Sequence, residues 1–261
     1  MGVRMPKFVL TATLVAASHC ALAQIEQGDL LSTRGGWQIG GQISTYHYEE
    51  PNFALLEGER TGAIGAYTHL EPDRFFTRLE GRVSYGLLRY EGSGVQEDNP
   101  DLIIEIRALV GKDLPVGNNL TFSSYLGLGY RYLYSDIRGY SSTGAVGYQR
   151  FSQYFYVPLG TTLRMKLGER SVFAPTVEFD AFLAGSQYSQ LSDTGIPGYS
   201  DASNSQDSGY GYRVYLMVET GKWSFGPWLH YWNIGISDLT PQGYEPANWT
   251  REYGLELRRR F

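Results

Sequence analysis

The chain has 261 residues, a net charge of −5 and a single cysteine, and it carries 32 glycines and 21 tyrosines. The acidic balance disfavours a nucleic-acid partner, and one cysteine excludes a disulfide framework or a Cys-rich zinc site. No apolar run approaches the roughly 20 residues of a membrane-spanning helix, so the route this chain has into a bilayer is a closed sheet, in which every backbone N–H and C=O is paired.

The first residues read as an export leader. Arg4 and Lys7 precede a short apolar run over residues 8–17, and Ala21-Leu22-Ala23 fits a small-x-small cleavage site, so residues 1–23 are expected to be removed as a signal peptide. Cys20 raises the question of lipidation, but His19 stands where lipidated precursors need a small residue. Cys20 therefore leaves with the leader, and the mature chain, from Gln24, keeps 20 basic residues against 27 acidic ones, a balance of −7. Residues 24–35 are a polar lead-in.

Residues 37–48 show the first period-two pattern. Trp37, Ile39, Ile43 and Thr45 share one face and Gln38, Gln42, Ser44 and Tyr46 the other, as in a strand lying between an apolar and a polar medium. A polar loop holding Glu49, Glu50, Pro51 and Asn52 runs to about residue 59. Residues 61–70 make a Gly/Ala-rich second strand, closed by the Glu71-Pro72-Asp73 turn. Residues 75–90 place Leu79, Val83, Tyr85 and Leu87 outward against Arg78, Glu80, Arg82 and Ser84, and an acidic loop follows over 92–100. Residues 102–110 set Leu102, Ile104, Ile106, Ala108 and Val110 against Glu105 and Arg107, before a turn at 111–119. Residues 120–134 carry Leu126, Leu128, Tyr130 and Tyr132 outward and Arg131 inward.

After a Gly/Ser-rich loop at 137–147, residues 150–166 resume with Phe155, Val157 and Leu159 outward and Tyr156, Thr162 and Arg164 inward. A turn at 167–169 leads to 171–185, where Val177, Phe179 and Leu183 oppose Glu178 and Asp180. The longest polar loop, 186–208, precedes a strand at 210–219 with Arg213 and Glu219 inward. Gly221-Lys222 is a two-residue turn into residues 223–236, and the loop 237–250 leads to the last strand, 251–261.

In that closing strand Tyr253, Leu255, Leu257 and Phe261 alternate with Glu252, Gly254, Glu256, Arg258 and Arg260, Arg259 being the exception. An amphipathic strand ending on an aromatic residue behind an export leader resembles the closing strand of Gram-negative outer-membrane β-barrels. There the terminal aromatic belongs to the assembly signal, so Tyr253, Leu255, Leu257 and Phe261 are the expected contact for the barrel-assembly machinery. Five long polar connections alternate with four short turns along the chain, the pattern of extracellular loops and periplasmic turns. The expected fold is all-β: a closed antiparallel transmembrane barrel of about ten strands over residues 36–261, with 24–35 a periplasmic segment. Outer-membrane lipid and lipopolysaccharide are then its surroundings.

The inward positions collect Arg78, Glu80, Arg82, Glu105, Arg107, Arg131, Glu178, Asp180, Arg213 and Glu256 as candidate lumen ion pairs, with Arg164, Glu219, Glu252 and Arg258 beside them. About eight strands enclose just enough room for side chains, so mixed charge in a barrel of ten favours a lumen packed with ion pairs. A narrow pore for small solutes is the sharper alternative. Trp37, Phe75, Trp223 and Phe261 at one set of strand ends, and Tyr48, Tyr85, Tyr90, Tyr132, Tyr134 and Tyr231 at the other, read as interfacial girdles.

His47, beside Glu49 and Glu50, and His230, between Trp228 and Trp232, are the histidines from which a rim hydrolase acting on lipid A or peptide would be built. The Trp-Thr-Asp and Asp-His signatures of an omptin-like protease are missing. No phosphate-binding glycine loop and no metal-ligand cluster is present, and no cofactor is expected.

The phrases Tyr46-His47-Tyr48-Glu49-Glu50-Pro51, Gly127-Leu128-Gly129-Tyr130-Arg131-Tyr132-Leu133, Tyr156-Val157-Pro158-Leu159-Gly160, Glu178-Phe179-Asp180 and Glu245-Pro246-Ala247-Asn248 together resemble an uncharacterised porin-like family of outer-membrane barrels. The resemblance implies a non-catalytic barrel, either a narrow channel or a structural one. The alternative is a surface adhesin acting through the loops 186–208 and 237–250, since loops on a rigid scaffold carry recognition.

Overall fold

The computed structural model describes residues 30–261; the expected leader and residues 24–29 lie outside the described residues. Eleven strands follow in order: β1 (Gly36–Glu50), β2 (Ala54–Leu70), β3 (Phe75–Glu91), β4 (Val95–Val116), β5 (Leu120–Tyr140), β6 (Val146–Lys166), β7 (Ser171–Gln190), β8 (Ala202–Gln206), β9 (Gly209–Thr220), β10 (Trp223–Ile234) and β11 (Asn248–Arg260). Ten of them form an antiparallel ring, closed where β1 pairs with β11 through Ile43↔Leu255 and its neighbours. Closure leaves no barrel edge with unpaired backbone groups. The five-residue β8 is an accessory. It pairs with β7 over Gly185–Ser189, beyond the Ser171–Ala181 stretch that β9 covers, and so shields the part of β7 that outruns its shorter neighbour.

The residue parity read from the sequence sorts the two faces. Ile43, Leu79, Ile106, Leu128, Phe155 and Leu255 stand exposed on the outside, whereas Glu105, Arg131, Glu178, Arg213 and Glu252 are buried inside. That is the inverse of a water-soluble sheet and suits hydrocarbon outside and a polar lumen within. A bulge between β6 and β7 near Phe155 and Tyr156 changes the parity of β7, so Leu183 and Ala184 both face out and Gln187 and Ser189 then point in.

Three expected long loops are instead tight connections, at residues 51–53, 92–94 and 141–145. The strands continue through the polar stretches, and β4, β5 and β6 reach 22, 21 and 21 residues, about twice what a tilted membrane span needs. The cause is chemical. Beyond the bilayer the outer face carries Glu57, Glu59, Arg89 and Glu97 instead of apolar residues, so hydropathy reads loop while the backbone ladder persists. The long connections are 191–208, which contains β8, and 235–247. Tyr48 and Tyr90 also depart from the expected girdle: both pack inward on the buried cluster of Tyr46, Leu56, Leu88, Ile103 and Ile137.

The core is therefore the lumen. At the end that holds Leu30 and Phe261, Leu31 of the lead-in enters the ring and packs on Val172, Ala174 and Met217. Asp113 accepts hydrogen bonds from the Thr33 amide at 2.6 Å and from its hydroxyl at 2.7 Å. At the loop end the apolar cluster around Leu88 fills the ring, beside a second one of Tyr154, Tyr156, Trp232 and Ile234. Charge occupies the space between.

Candidate functional site

Arg213 of β9 is the centre of the charged layer. Its guanidinium grips Glu105 of β4 through two bonds of 2.6 and 2.9 Å, its Nε reaches Asp180 at 2.8 Å and Glu178 at 3.0 Å, and Nη2 donates to the Tyr156 hydroxyl at 2.8 Å. Strands β4 and β9 are four places apart in the ring, so this contact crosses the lumen instead of running along the wall. Arg107 of β4 makes a second brace, donating to Glu178 of β7 while also holding Glu80. A third runs from Arg82 of β3 to Glu252 of β11. Arg78 completes the chain, reaching Glu80 at 2.6 Å and the Gln38 side chain at 3.0 Å. Tyrosines add a donor to two of the carboxylates: Tyr156 donates to Glu105 at 2.8 Å and Tyr125 to Glu178 at 2.7 Å. Each charge of this network thus meets an opposite one, the condition for keeping charge in a low-dielectric interior.

Of the lumen positions singled out in the sequence, Arg78, Glu80, Arg82, Glu105, Arg107, Glu178, Asp180 and Arg213 join one network, with Glu252. Glu256 lies apart and pairs with Arg258 at 2.7 Å. Arg131 differs from the expectation of an ion pair. Although its register partner is Glu105, its guanidinium lies over the Trp232 ring at 5.2 Å and its Nε has no hydrogen-bond partner. Arg213 already saturates Glu105, and the aromatic face is what remains for Arg131. Four guanidiniums meet five carboxylates in the network, and Arg131 is the fifth positive charge beside them.

Sequence reasoning missed an outer tier of charges. Arg60 lies 3.5 Å over the Tyr46 ring and pairs with Asp101, while Arg150 holds Glu50 at 2.5 Å and Glu245 of the last loop at 3.0 Å. Glu50 and Glu245 stand in stretches read as loops, Arg60 and Asp101 between a loop and a strand, and Arg150 at the first position of a strand. The usable signal was parity: Arg60 continues the even, inward series of Ile64 and Ala66, and Asp101 the odd series of Ile103 and Glu105.

Little free space remains at the network. The cavity against Gln42, Arg82, Glu105 and His230 measures about 20 Å³ and one at the outer tier about 30 Å³, room for a water or two. A larger cavity of about 110 Å³ lies toward the terminal end.

Neither histidine has a serine, threonine or cysteine among its hydrogen-bond partners. His230 is buried, receives a 3.3 Å bond at Nδ1 from Arg82, and lies 2.7 Å from the Tyr215 hydroxyl through Nε2. Arginine can only donate, so Nδ1 accepts and the proton of the neutral ring faces Tyr215. His47 sits on the outer wall near the loop end, stacked on Trp249 and 3.5 and 3.7 Å from Glu49 and Glu57. Among the described residues no group of three or more His, Cys, Asp or Glu side chains is arranged to hold a metal ion.

The ring closure, the apolar exterior and the braced polar interior can be set beside solved structures. The outer membrane protease OmpT from Escherichia coli superposes with a TM-score of 0.57 at 10% identity, over 89% of this chain and 100% of that one. The fold is that of an outer-membrane β-barrel. The translocator domain of the autotransporter NalP from Neisseria meningitidis (15% identity, TM-score 0.43, 89% and 91% of the two chains) and OprG from Pseudomonas aeruginosa (12%, 0.42, 89% and 99%) are more distant barrels. No family model and no curated protein matches the sequence. In an outer-membrane barrel the exposed Trp37, Phe75, Trp223 and Phe261 at the terminal end fall where an interfacial aromatic girdle belongs.

Proposed function

We propose that this outer-membrane barrel is closed at rest, a structural barrel or narrow gated channel, with its termini on the periplasmic side and no catalytic chemistry of its own. The observation that carries the reading is the bidentate contact from Arg213 to Glu105 across the lumen, reinforced by Arg107 to Glu178. A single-sign constriction would attract and pass ions of one charge; a neutralised lattice of mixed sign fills the cross-section instead. Planar-bilayer recording tests this. The wild-type protein should show no sustained current, and the Arg107→Ala, Arg213→Ala double variant should conduct. A steady wild-type current equal to that of the double variant would refute it.

A second reading, surface adhesion, has its own support. Tyr140, Ile196, Tyr199, Ile236, Leu239 and Tyr244 are large apolar side chains exposed at the loop end, with Leu239 79% exposed. Rigid strand extensions present them well clear of the bilayer, as a binding surface requires. Replacing Tyr199, Leu239 and Tyr244 by serine should abolish adhesion of expressing cells while the barrel still folds; unaltered adhesion would rule it out. The outward residues of β11, Tyr253, Leu255 and Leu257, with Phe261 just after it, lie beside the closing seam, which suits the proposed contact with the assembly machinery.

A further inference from the structure

A polar cavity of about 110 Å³ lies between the charged network and the lead-in, with room for about seven waters. Arg34, Arg164, Arg258 and Arg260 line it against Glu219 and Glu256. Its other two arginines, Arg78 and Arg107, are engaged by Glu80 and Glu178. Arg164 pairs with Glu219 at 2.8 Å and Arg258 with Glu256 at 2.7 Å. That leaves Arg34, whose Nη1 donates to the Gly221 carbonyl, and Arg260, which share the field of the already paired Glu219 and form no ion pair within 4 Å among the described residues. The buried Nε atoms of Arg164 and Arg260 have no acceptor. A buried guanidinium N–H without an acceptor is costly unless a water or an anion satisfies it.

We propose that this cavity is a binding site for a small dianion of the phosphate class. Six arginines line the cavity against Glu80, Glu219 and Glu256, the orphan donors are planar N–H groups suited to tetrahedral oxygens, and the space exceeds that of a few waters. Arg34 belongs to the lead-in, whereas Arg164 and Arg260 belong to β6 and β11. A bound dianion therefore ties the lead-in to the wall and strengthens the seat of Leu31 and Thr33. The site is independent of whether the lumen conducts.

The experiment is titration calorimetry on the mature protein in a phosphate-free detergent buffer at fixed ionic strength. Inorganic phosphate and glycerol 3-phosphate form separate arms, to distinguish a free ion from an esterified one, and chloride is the control. Phosphate should bind one to one, slow amide exchange at Thr33 and raise the unfolding midpoint, while chloride does none of these. Arg260→Gln and Arg34→Gln should each weaken binding about tenfold, the loss of one charge-assisted contact. Arg34→Gln lies outside the strands and keeps the test decisive if Arg260→Gln fails to fold. Arg89→Gln, exposed on the outer wall near the loop end, should bind as the wild type. No saturable heat with either phosphate, or equal affinity in both lumen variants, overturns the proposal.

Discussion

Replacing Arg213 by glutamine tests the cross-lumen brace most directly. Arg213 is 2% exposed and Asp180 is fully buried. Asp180 receives one side-chain hydrogen bond, from Arg213, and its Oδ1 already lacks a partner, so the substitution strands a carboxylate in the lumen. Glu105 loses both guanidinium bonds and keeps the Tyr156 hydroxyl, with Arg82 at 3.8 Å. Glu178 keeps Arg107 and Tyr125. Removing one partner of a buried pair costs about 3–5 kcal/mol, and Asp180 places this site toward the upper value. Urea unfolding of the refolded barrel in lipid vesicles, followed by tryptophan fluorescence, would read the loss. Asp180→Asn in the Arg213→Gln background removes the stranded charge and should recover more than half of it, the coupling expected of contacting residues. A loss under about 1 kcal/mol, or no recovery by Asp180→Asn, would show that the network is solvated and refute the reasoning.

Gly129 lies beneath the Tyr156 ring, and a Cβ there would stand 2.1 Å from it; Gly129→Ala should cost about 1–3 kcal/mol by overpacking. Gly65→Ala, with nothing within 4 Å of the added carbon, should be close to neutral in the same urea titration. Removing Phe261, whose amide donates to the Trp37 carbonyl at 2.9 Å, should leave refolding in detergent intact but lower the amount of barrel in the outer membrane of cells, read by heat-modifiable gel mobility. Equal amounts would count against the assembly role. In the loop 191–208, hydrogen bonds from Ser192 and the Tyr188 hydroxyl hold the Asp201 carboxyl below its usual range. A depressed carboxylate pKa stabilises above the unfolded value of about 3.9 and loses that stabilisation as pH falls through the folded one. Limited proteolysis should therefore find the loop unchanged from neutral pH down to about 4 and more open below; opening at pH 6 would contradict this.

Parity made most of the barrel legible. A strand side chain has two directions, and when one leads to hydrocarbon and the other to a polar lumen, each residue reports its own side without reference to distant parts of the chain. Hence Leu79 against Glu80, or Ile106 against Arg107, could be assigned from local alternation, and the short connections at 167–170 and 221–222 from turn chemistry. The failures came where that contrast ends. Beyond the bilayer both faces of β2 and β4 meet polar surroundings, so Arg60 and Asp101 were left outside the strands although they point inward like Ile64 and Ile103.

Pairing within the lumen lay beyond local reading. Glu105 neighbours Arg131 in register, yet it binds Arg213 from four strands away, while Arg131 turns to Trp232. The sequence by itself determined which side chains enter the lumen, because that follows from each strand's own alternation. Only the tertiary structure decided which of them meet: closing the ring brings distant strands face to face, and the guanidinium with the best geometry takes the carboxylate its neighbour along the wall would otherwise hold.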